Sequence, residues 1–247
     1  MKITFLGTSH GVPAADRWCS MSMIEAGNSV YLIDAGGPLI DLLVRRGVDL
    51  GRVRALFATH MHGDHVNGIL PFADLLNWYF KSASVDIFLT EQRGIDLFKA
   101  LIEAMESEPL DEARIRFRLM TQECVYQDEN LRVAPLPTRH LEGQGRPAYS
   151  YLAEADGKRV LFSGDLSGGL RLDDFPAYAL EHEVDLLVCE MAHFDTRDAI
   201  PYLERCRAKR VLFNHVYPLD KLARIRALDG RFGYPIRPVE DGEEILL

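Results

Sequence analysis

Short apolar runs alternate with stretches of helical spacing along the whole 247-residue chain. Runs of strand character are Lys2–Leu6, Met21–Glu25, Val30–Ile33, Ala55–Ala58, Val85–Leu89, Leu131–Pro135, Tyr149–Ala153, Val160–Ser163, Leu186–Cys189, Val211–Asn214 and Glu244–Leu246. Apolar residues three and four apart predict helices over Leu39–Arg46, Val66–Phe80, Gly94–Met105, Ala199–Arg207 and Lys221–Leu228. The turns Ala26-Gly27-Asn28 and Ala155-Asp156-Gly157-Lys158 join neighbouring strands as hairpins, so the sheets are expected to be partly antiparallel. Hairpin strands with helices spread over the full length suggest two sheets packed face to face, with helices outside. No Pro/Ser-rich linker, charge block or repeat divides the chain, which reads as one domain over residues 1–247.

The segment Ile69–Phe80 is apolar nearly all round, which predicts a buried core helix, an oligomer face or a pocket wall rather than an ordinary surface helix. Nowhere do 18 apolar residues run together, and the first apolar run, Met1 to Gly7, is too short for a signal peptide. No membrane partner is therefore expected. Cys19, Cys124, Cys189 and Cys206 lie far apart without C-x-x-C spacing, so a cytoplasmic chain with free thiols is expected. A net charge of −9 argues against long nucleic acid as the main partner, because phosphate binding is driven by clustered Lys and Arg.

Three of the eight histidines fall within six residues, in Thr59-His60-Met61-His62-Gly63-Asp64-His65. The motif follows the strand-like Ala55–Ala58 and precedes a helical pattern. On extended chain, residues two apart point the same way, so His60 and His62 can grip one ion together. Gly63 permits a sharp turn, after which Asp64 and His65 face a second ion. Imidazole and carboxylate together suit Zn²⁺ and related transition metals. His140, Asp165 and His215 each come after an apolar strand, and with the first cluster they make seven ligands, enough for two ions.

In these residues the chain resembles the metallo-β-lactamase superfamily of metal-dependent hydrolases. The resemblance runs in order through Asp34, the His60/His62/Asp64/His65 motif, His140, Ser163-Gly164-Asp165 and His215. It implies an α/β fold, the αββα four-layer sandwich, with two mixed sheets and a dinuclear site at one edge. It further implies that His60, His62 and His140 bind the first metal, that Asp64, His65 and His215 bind the second, and that Asp165 bridges them. Asp34 would be hydrogen-bonded behind the ligands, fixing a histidine tautomer. Zn²⁺ is favoured, with Mn²⁺ or Fe as alternatives.

Spacing narrows the branch. Asp165 and His215 are 50 residues apart, too few for the inserted domain of the superfamily's nucleic-acid processing nucleases. Only 32 residues follow His215, too few for the helical domain of glyoxalase II-like thioesterases. The opening Gly7-Thr8-Ser9-His10-Gly11-Val12-Pro13 looks like the first loop of the ribonuclease Z-like and phosphodiesterase branch, which makes Thr8, Ser9 and His10 candidate substrate contacts. Cys189-Glu190-Met191-Ala192-His193-Phe194 is similar to the Glu-containing motif of ribonuclease Z. His193 would protonate the leaving alkoxide and Glu190 would orient it, so Asp64, Glu190 and His193 are the candidate catalytic residues.

The long arm that grips transfer RNA in ribonuclease Z is inserted between the counterparts of His140 and Asp165. Here that gap is 25 residues, filled by a loop and a hairpin. The expected substrate is therefore a small phosphodiester, such as a cyclic nucleotide, and the resemblance implies a homodimer. Arg139, Arg146 and Arg197 are further candidates for phosphate contact. The alternatives are a lactonase, thioesterase or other carboxylic-ester hydrolase, a transfer-RNA nuclease, an iron oxidoreductase and a metal-holding sensor without turnover. His65 in place of a Glu ligand speaks against the diiron flavoprotein type.

Overall fold

A computed structural model describes residues 1–12, 14–105, 109–168 and 175–247; Pro13 of the opening loop lies outside the described residues. The first sheet contains β1 (Lys2–Gly7), β2 (Met21–Ala26), β3 (Ser29–Ile33), β4 (Val53–Phe57), β5 (Val85–Leu89) and β6 (Ile115–Leu119). The second contains β7 (Tyr126–Gln127), β8 (Arg132–Pro137), β9 (Tyr149–Ala155), β10 (Lys158–Phe162), β11 (Leu186–Met191), β12 (Val211–Val216) and β13 (Ile236–Pro238). The last strand, β14 (Glu244–Leu246), returns to the first sheet, so the strand orders are β14-β1-β2-β3-β4-β5-β6 and β13-β12-β11-β10-β9-β8-β7. Each sheet begins with antiparallel hairpins and continues with parallel strands, making both mixed.

Alternation along the strands sorts the apolar residues into layers. In β3, Tyr31 and Ile33 face the other sheet, whereas Val30 and Leu32 face the helices. In β11, Leu186 and Val188 point inward, and Leu187 and Cys189 point to the opposite outer layer. The inner layer joins Phe5, Phe57 and Phe88 of the first sheet to Tyr151, Phe162 and Val188 of the second. Outside the first sheet lie helices α1 (Leu39–Arg45), α2 (Gly63–Val66), α3 (Ile69–Trp78) and α4 (Gln92–Met105); α5 (Ala177–Glu181), α6 (Thr196–Leu203) and α7 (Lys221–Arg226) follow in the second half. Three apolar layers between four layers of elements make an α/β sandwich, in agreement with the sequence pattern.

Several boundaries differ from the pattern. The expected helix Val66–Phe80 is two helices, α2 and α3, separated at Asn67 and Gly68. Gly68 donates its N–H to the Ala35 carbonyl at 2.6 Å, and a Cβ there would stand 2.2 Å from the Gly37 carbonyl oxygen. That close backbone approach, needed to lay α2 against the loop after β3, interrupts the helix. The expected helix Ala199–Arg207 starts earlier, at Thr196, because Asp195 and Asp198 form a capping box there. Of the Ile69–Phe80 segment, Ile69, Phe72, Ala73 and Leu76 enter the core, whereas Trp78 and Tyr79 remain exposed. All four cysteines are free. Among the described residues, no helix is long and apolar enough to cross a membrane.

Candidate active site

The polar residues after the strands meet at one edge of the two sheets. Asp34 directly follows β3, and Thr59 and His60 follow β4 before His62 leads into α2. From the second sheet, His140 comes after β8, Asp165 after β10, Glu190 from β11 and His215 from β12. Two of these residues hold left-handed backbone, Asp34 at φ 62° and His215 at φ 49°, a strain that surrounding structure must enforce. Gly164 (φ 58°) carries the chain into Asp165 where a Cβ would stand 2.6 Å from the Tyr149 carbonyl oxygen.

Two histidine-rich clusters of ligand atoms result, beside a third set made by Asp165, Glu190 and His193. His60, His62, His140 and Asp165 each offer an atom within 4.8 Å of the others, and so do Asp64, His65 and His215. In the first cluster, His60 Nε2 and His140 Nε2 lie 3.0 and 3.3 Å from His62 Nδ1. Both are 3.6 Å from Asp165 Oδ2. In the second, His65 Nε2 and His215 Nε2 each lie 3.4 Å from Asp165 Oδ1 and 3.6 and 3.7 Å from Asp64 Oδ2. Asp165 thus turns one carboxylate oxygen to each cluster. Hydrogen bonds behind the ligands set the tautomers. His65 Nδ1 is 2.8 Å from Asp34 Oδ2, and His140 Nδ1 is 3.1 Å from the Leu166 carbonyl. Thr59 Oγ1 stands between His60 Nδ1 (3.1 Å) and Asp34 (3.0 Å), while the Thr59 N–H donates to Asp34 Oδ1 at 2.7 Å.

Burial is deepest at the base of the site: His60, His65, Asp165 and His215 are buried, whereas His62, Asp64 and His140 are half-buried. Burial, aided by the charge of His65, pushes the His60 imidazole well below its ordinary pKa, which leaves a neutral lone pair on Nε2. For Asp165 burial acts to raise the pKa, but His215 and His65 outweigh it and hold the carboxyl well below the ordinary range. His65 Nε2, His215 Nε2 and Asp165 Oδ1 have no hydrogen-bond partner in the protein despite their burial. Unpartnered buried polar atoms facing one another are costly, and a shared cation satisfies nitrogen lone pairs and carboxylate oxygen together. The donor set therefore fits divalent metal ions.

Beside the clusters, Glu190 is buried and fully engaged. Its Oε1 accepts from Leu166 N (2.7 Å) and His193 Nδ1 (2.9 Å), and its Oε2 accepts from Ala192 N (2.7 Å) and His193 N (3.0 Å). His193 Nε2 is left facing Asp165 Oδ2 at 3.8 Å. Burial acts to lower the His193 pKa, but its hydrogen bond to Glu190 and the charge of that carboxylate raise it to about 8. His10 reaches the same mouth, its ring centroid 5.1 Å from that of His215 and 6.0 Å from that of His193. Val12 N donates to His10 Nδ1 at 3.2 Å, so Nε2 carries the proton of the neutral ring.

Other expected contacts are placed elsewhere. Thr8 is fully buried, and its hydroxyl donates to Asp241 (2.7 Å) and accepts from Arg17 (2.9 Å), so it anchors the loop rather than facing the clusters. Ser9 is buried too, with a backbone bridge to Val216 beside His215. Arg146 pairs with Glu91 at 2.8 Å, and the exposed Arg197 pairs with Asp195 at 3.1 Å. Arg139 lies 3.7 Å from Glu142. Two site residues escaped the sequence reading. Thr59 carries only the weak signal of a hydroxyl between strand and His60, and Tyr217, stacked on His10 with centroids 4.8 Å apart, carries none.

This sandwich, with paired histidine-carboxylate clusters at the sheet edge, places the chain in the metallo-β-lactamase superfamily, ribonuclease Z-like in its motifs. Within it, the chain belongs to the family described as Anti-Pycsar protein Apyc1, which matches residues 1–215. A ribonuclease Z of Synechococcus sp. (strain CC9311) is 30% identical over 188 residues, which are 72% of this chain and 57% of the relative. The chain thus aligns with little more than half the length of such curated relatives. Among solved structures, the metallo-β-lactamase fold protein YhfI from Bacillus subtilis superposes with a TM-score of 0.77 at 17% identity, covering 99% of this chain and 98% of that one. A diphosphatase from the PhnP family gives a TM-score of 0.73 at 17% identity, covering 100% and 97%.

Proposed function

We propose that this chain is a dinuclear phosphodiesterase acting on a small phosphodiester, with cyclic nucleotides as the leading substrate class and Zn²⁺ as the favoured metal. The observation that carries the reading is the His193–Glu190 pair, whose free nitrogen faces Asp165 Oδ2 at 3.8 Å beside both clusters. His60, His62 and His140 would hold one ion, Asp64, His65 and His215 the other, and Asp165 both. When bound, the ions supply Lewis acidity toward the phosphoryl group and lower the pKa of water.

The protein's own groups do the rest. Asp34 keeps His65, and Thr59 keeps His60, in the tautomer that leaves Nε2 free. Glu190 holds Nδ1–H of His193, so Nε2–H of the imidazolium is aimed at the leaving alkoxide and delivers its proton there. His10 and Tyr217 form a flat stacked wall, suited to the planar part of a nucleotide. The connection from His140 to Asp165, a loop followed by the β9–β10 hairpin, leaves no room for an arm that grips transfer RNA, which favours a small substrate. A lactonase or thioesterase would use the same centre on a carbonyl.

A substrate panel tests the reading: 2′,3′- and 3′,5′-cyclic nucleotides, bis-p-nitrophenyl phosphate, a lactone, a thioester and precursor transfer RNA, each with metal-loaded protein. Highest kcat/KM on a cyclic nucleotide is expected; highest activity on precursor transfer RNA or on the lactone overturns it. We also propose a cytoplasmic homodimer associating through the groove of about 540 Å³ lined by Ile40, Val44, Leu75, Trp78, Tyr79 and Phe80. Light scattering of wild type against Tyr79→Asp checks this, a monomer being expected only for the variant.

A further inference from the structure

Lys221 occupies an electrostatically unfavourable place. It is the first residue of α7, where the helix dipole disfavours a cation, and only 7% of it is exposed. Its Nζ donates to the carbonyl oxygens of Met191 (3.0 Å), Ala192 (3.0 Å) and Phe194 (2.7 Å). Three acceptors require three N–H bonds, which the ammonium has and the neutral amine lacks. These carbonyls flank His193 on both sides.

The same turn is gripped from the opposite side. Glu190 Oε2 accepts the N–H groups of Ala192 and His193 at 2.7 and 3.0 Å. The turn's N–H groups therefore face a carboxylate and its carbonyls face an ammonium, which fixes the peptide planes just past the end of β11. Met191 still pairs with Val216 at the end of β11, but among the described residues Ala192, His193 and Phe194 belong to no strand or helix before α6 begins at Thr196.

From this geometry we infer that Lys221 is a positioning residue for proton delivery, holding residues 191–194 so that His193 Nε2 stays aimed at the reaction centre. The inference rests on the reading of His193 as the leaving-group acid. Lys221 itself touches no reacting atom. A residue that merely satisfied buried carbonyls would lower stability alike for every substrate; one that aims a proton donor matters most where the leaving group needs a proton.

The test compares Lys221→Met, which keeps the aliphatic stem and removes the donors, with His193→Gln and the double variant. Each is loaded with Zn²⁺, checked for equal metal content, and assayed on a cyclic nucleotide and on bis-p-nitrophenyl phosphate. The former expels an alkoxide, the latter a stable phenolate. We expect Lys221→Met to lower kcat on the cyclic nucleotide by about 10- to 100-fold, up to the lower end of what general-acid catalysis contributes, with KM little changed. The p-nitrophenyl ester should lose under about threefold, and Lys221→Met should cost nothing further in the His193→Gln background. Equal losses on both esters, or full additivity in the double variant, overturn the inference while leaving His193 its role. If His193→Gln does not distinguish the esters, the proton-donor reading falls and this inference with it. Should Lys221→Met not fold, Lys221→Gln enters the same comparison with the same criteria.

Discussion

Asp34 Oδ2 lies 2.8 Å from His65 Nδ1, and the same carboxylate receives the backbone N–H and hydroxyl of Thr59. One buried acid thus orients a histidine of the second cluster directly and, through Thr59, one of the first. Asp34→Asn keeps the side-chain shape and suits the left-handed backbone, since Asn tolerates that region. It is expected to weaken Zn²⁺ affinity by about 10- to 100-fold, read by competition with a chromophoric chelator. Unchanged affinity would show that the tautomers are set without Asp34.

Asp165 is the residue both clusters share. Asp165→Ala should lower metal content, measured by plasma emission spectroscopy, and reduce turnover at least on the order of 10²- to 10³-fold. Near-normal activity from a metal-depleted Asp165→Ala sample would rule out metal-assisted hydrolysis.

Tyr217 tests the stacked wall. Tyr217→Ala should raise KM for a cyclic nucleotide while leaving kcat within about threefold, because base–aromatic stacking is worth ~1–3 kcal/mol. A ribose cyclic phosphate lacking the base should show no such change, and an equal change on both compounds would count against the wall.

Away from the site, Asp128 accepts from the hydroxyls of Tyr31 and Tyr126 and from Asn130 N and Leu131 N. Burial acts to raise its pKa, but these hydrogen bonds prevail and the carboxyl titrates below its ordinary value. A depressed folded-state pKa stabilises the protein above the unfolded value, ~3.9, and that stabilisation disappears as pH falls through the folded value. Asp128→Asn should therefore cost about 1 kcal/mol at pH 7, after discounting for solvent screening. The gap to wild type in urea unfolding should close as the pH drops below ~4. A gap that widens on acidification would contradict the sign.

The sandwich and both clusters were legible because their signals are local: short apolar runs such as Val30–Ile33, and four potential ligands packed into residues 60–65. What was missed depends on partners distant in sequence. Strand β6 alternates, as Ile115-Arg116-Phe117-Arg118-Leu119, but its arginines disguise an edge strand until Asp86 of β5 is seen pairing with both at 2.9 and 2.5 Å. Strand β13 is three residues long and ends in Pro238, so no pattern marks it. Thr8 looked like a phosphate contact because small residues after a first strand often are, yet Asp241, 233 residues away, takes its hydroxyl. Lys221 reads in sequence as one more helix-surface lysine; only the fold shows three carbonyls around it.

Each cluster draws side chains from both halves of the chain: His60 and His62 meet His140, and Asp64 and His65 meet His215. A cation seated in either place is consequently a rivet between two separately hydrogen-bonded sheets. Chelation should loosen the halves against each other before either sheet frays, and fragments divided near residue 122 would be expected to report their reassembly through metal uptake alone.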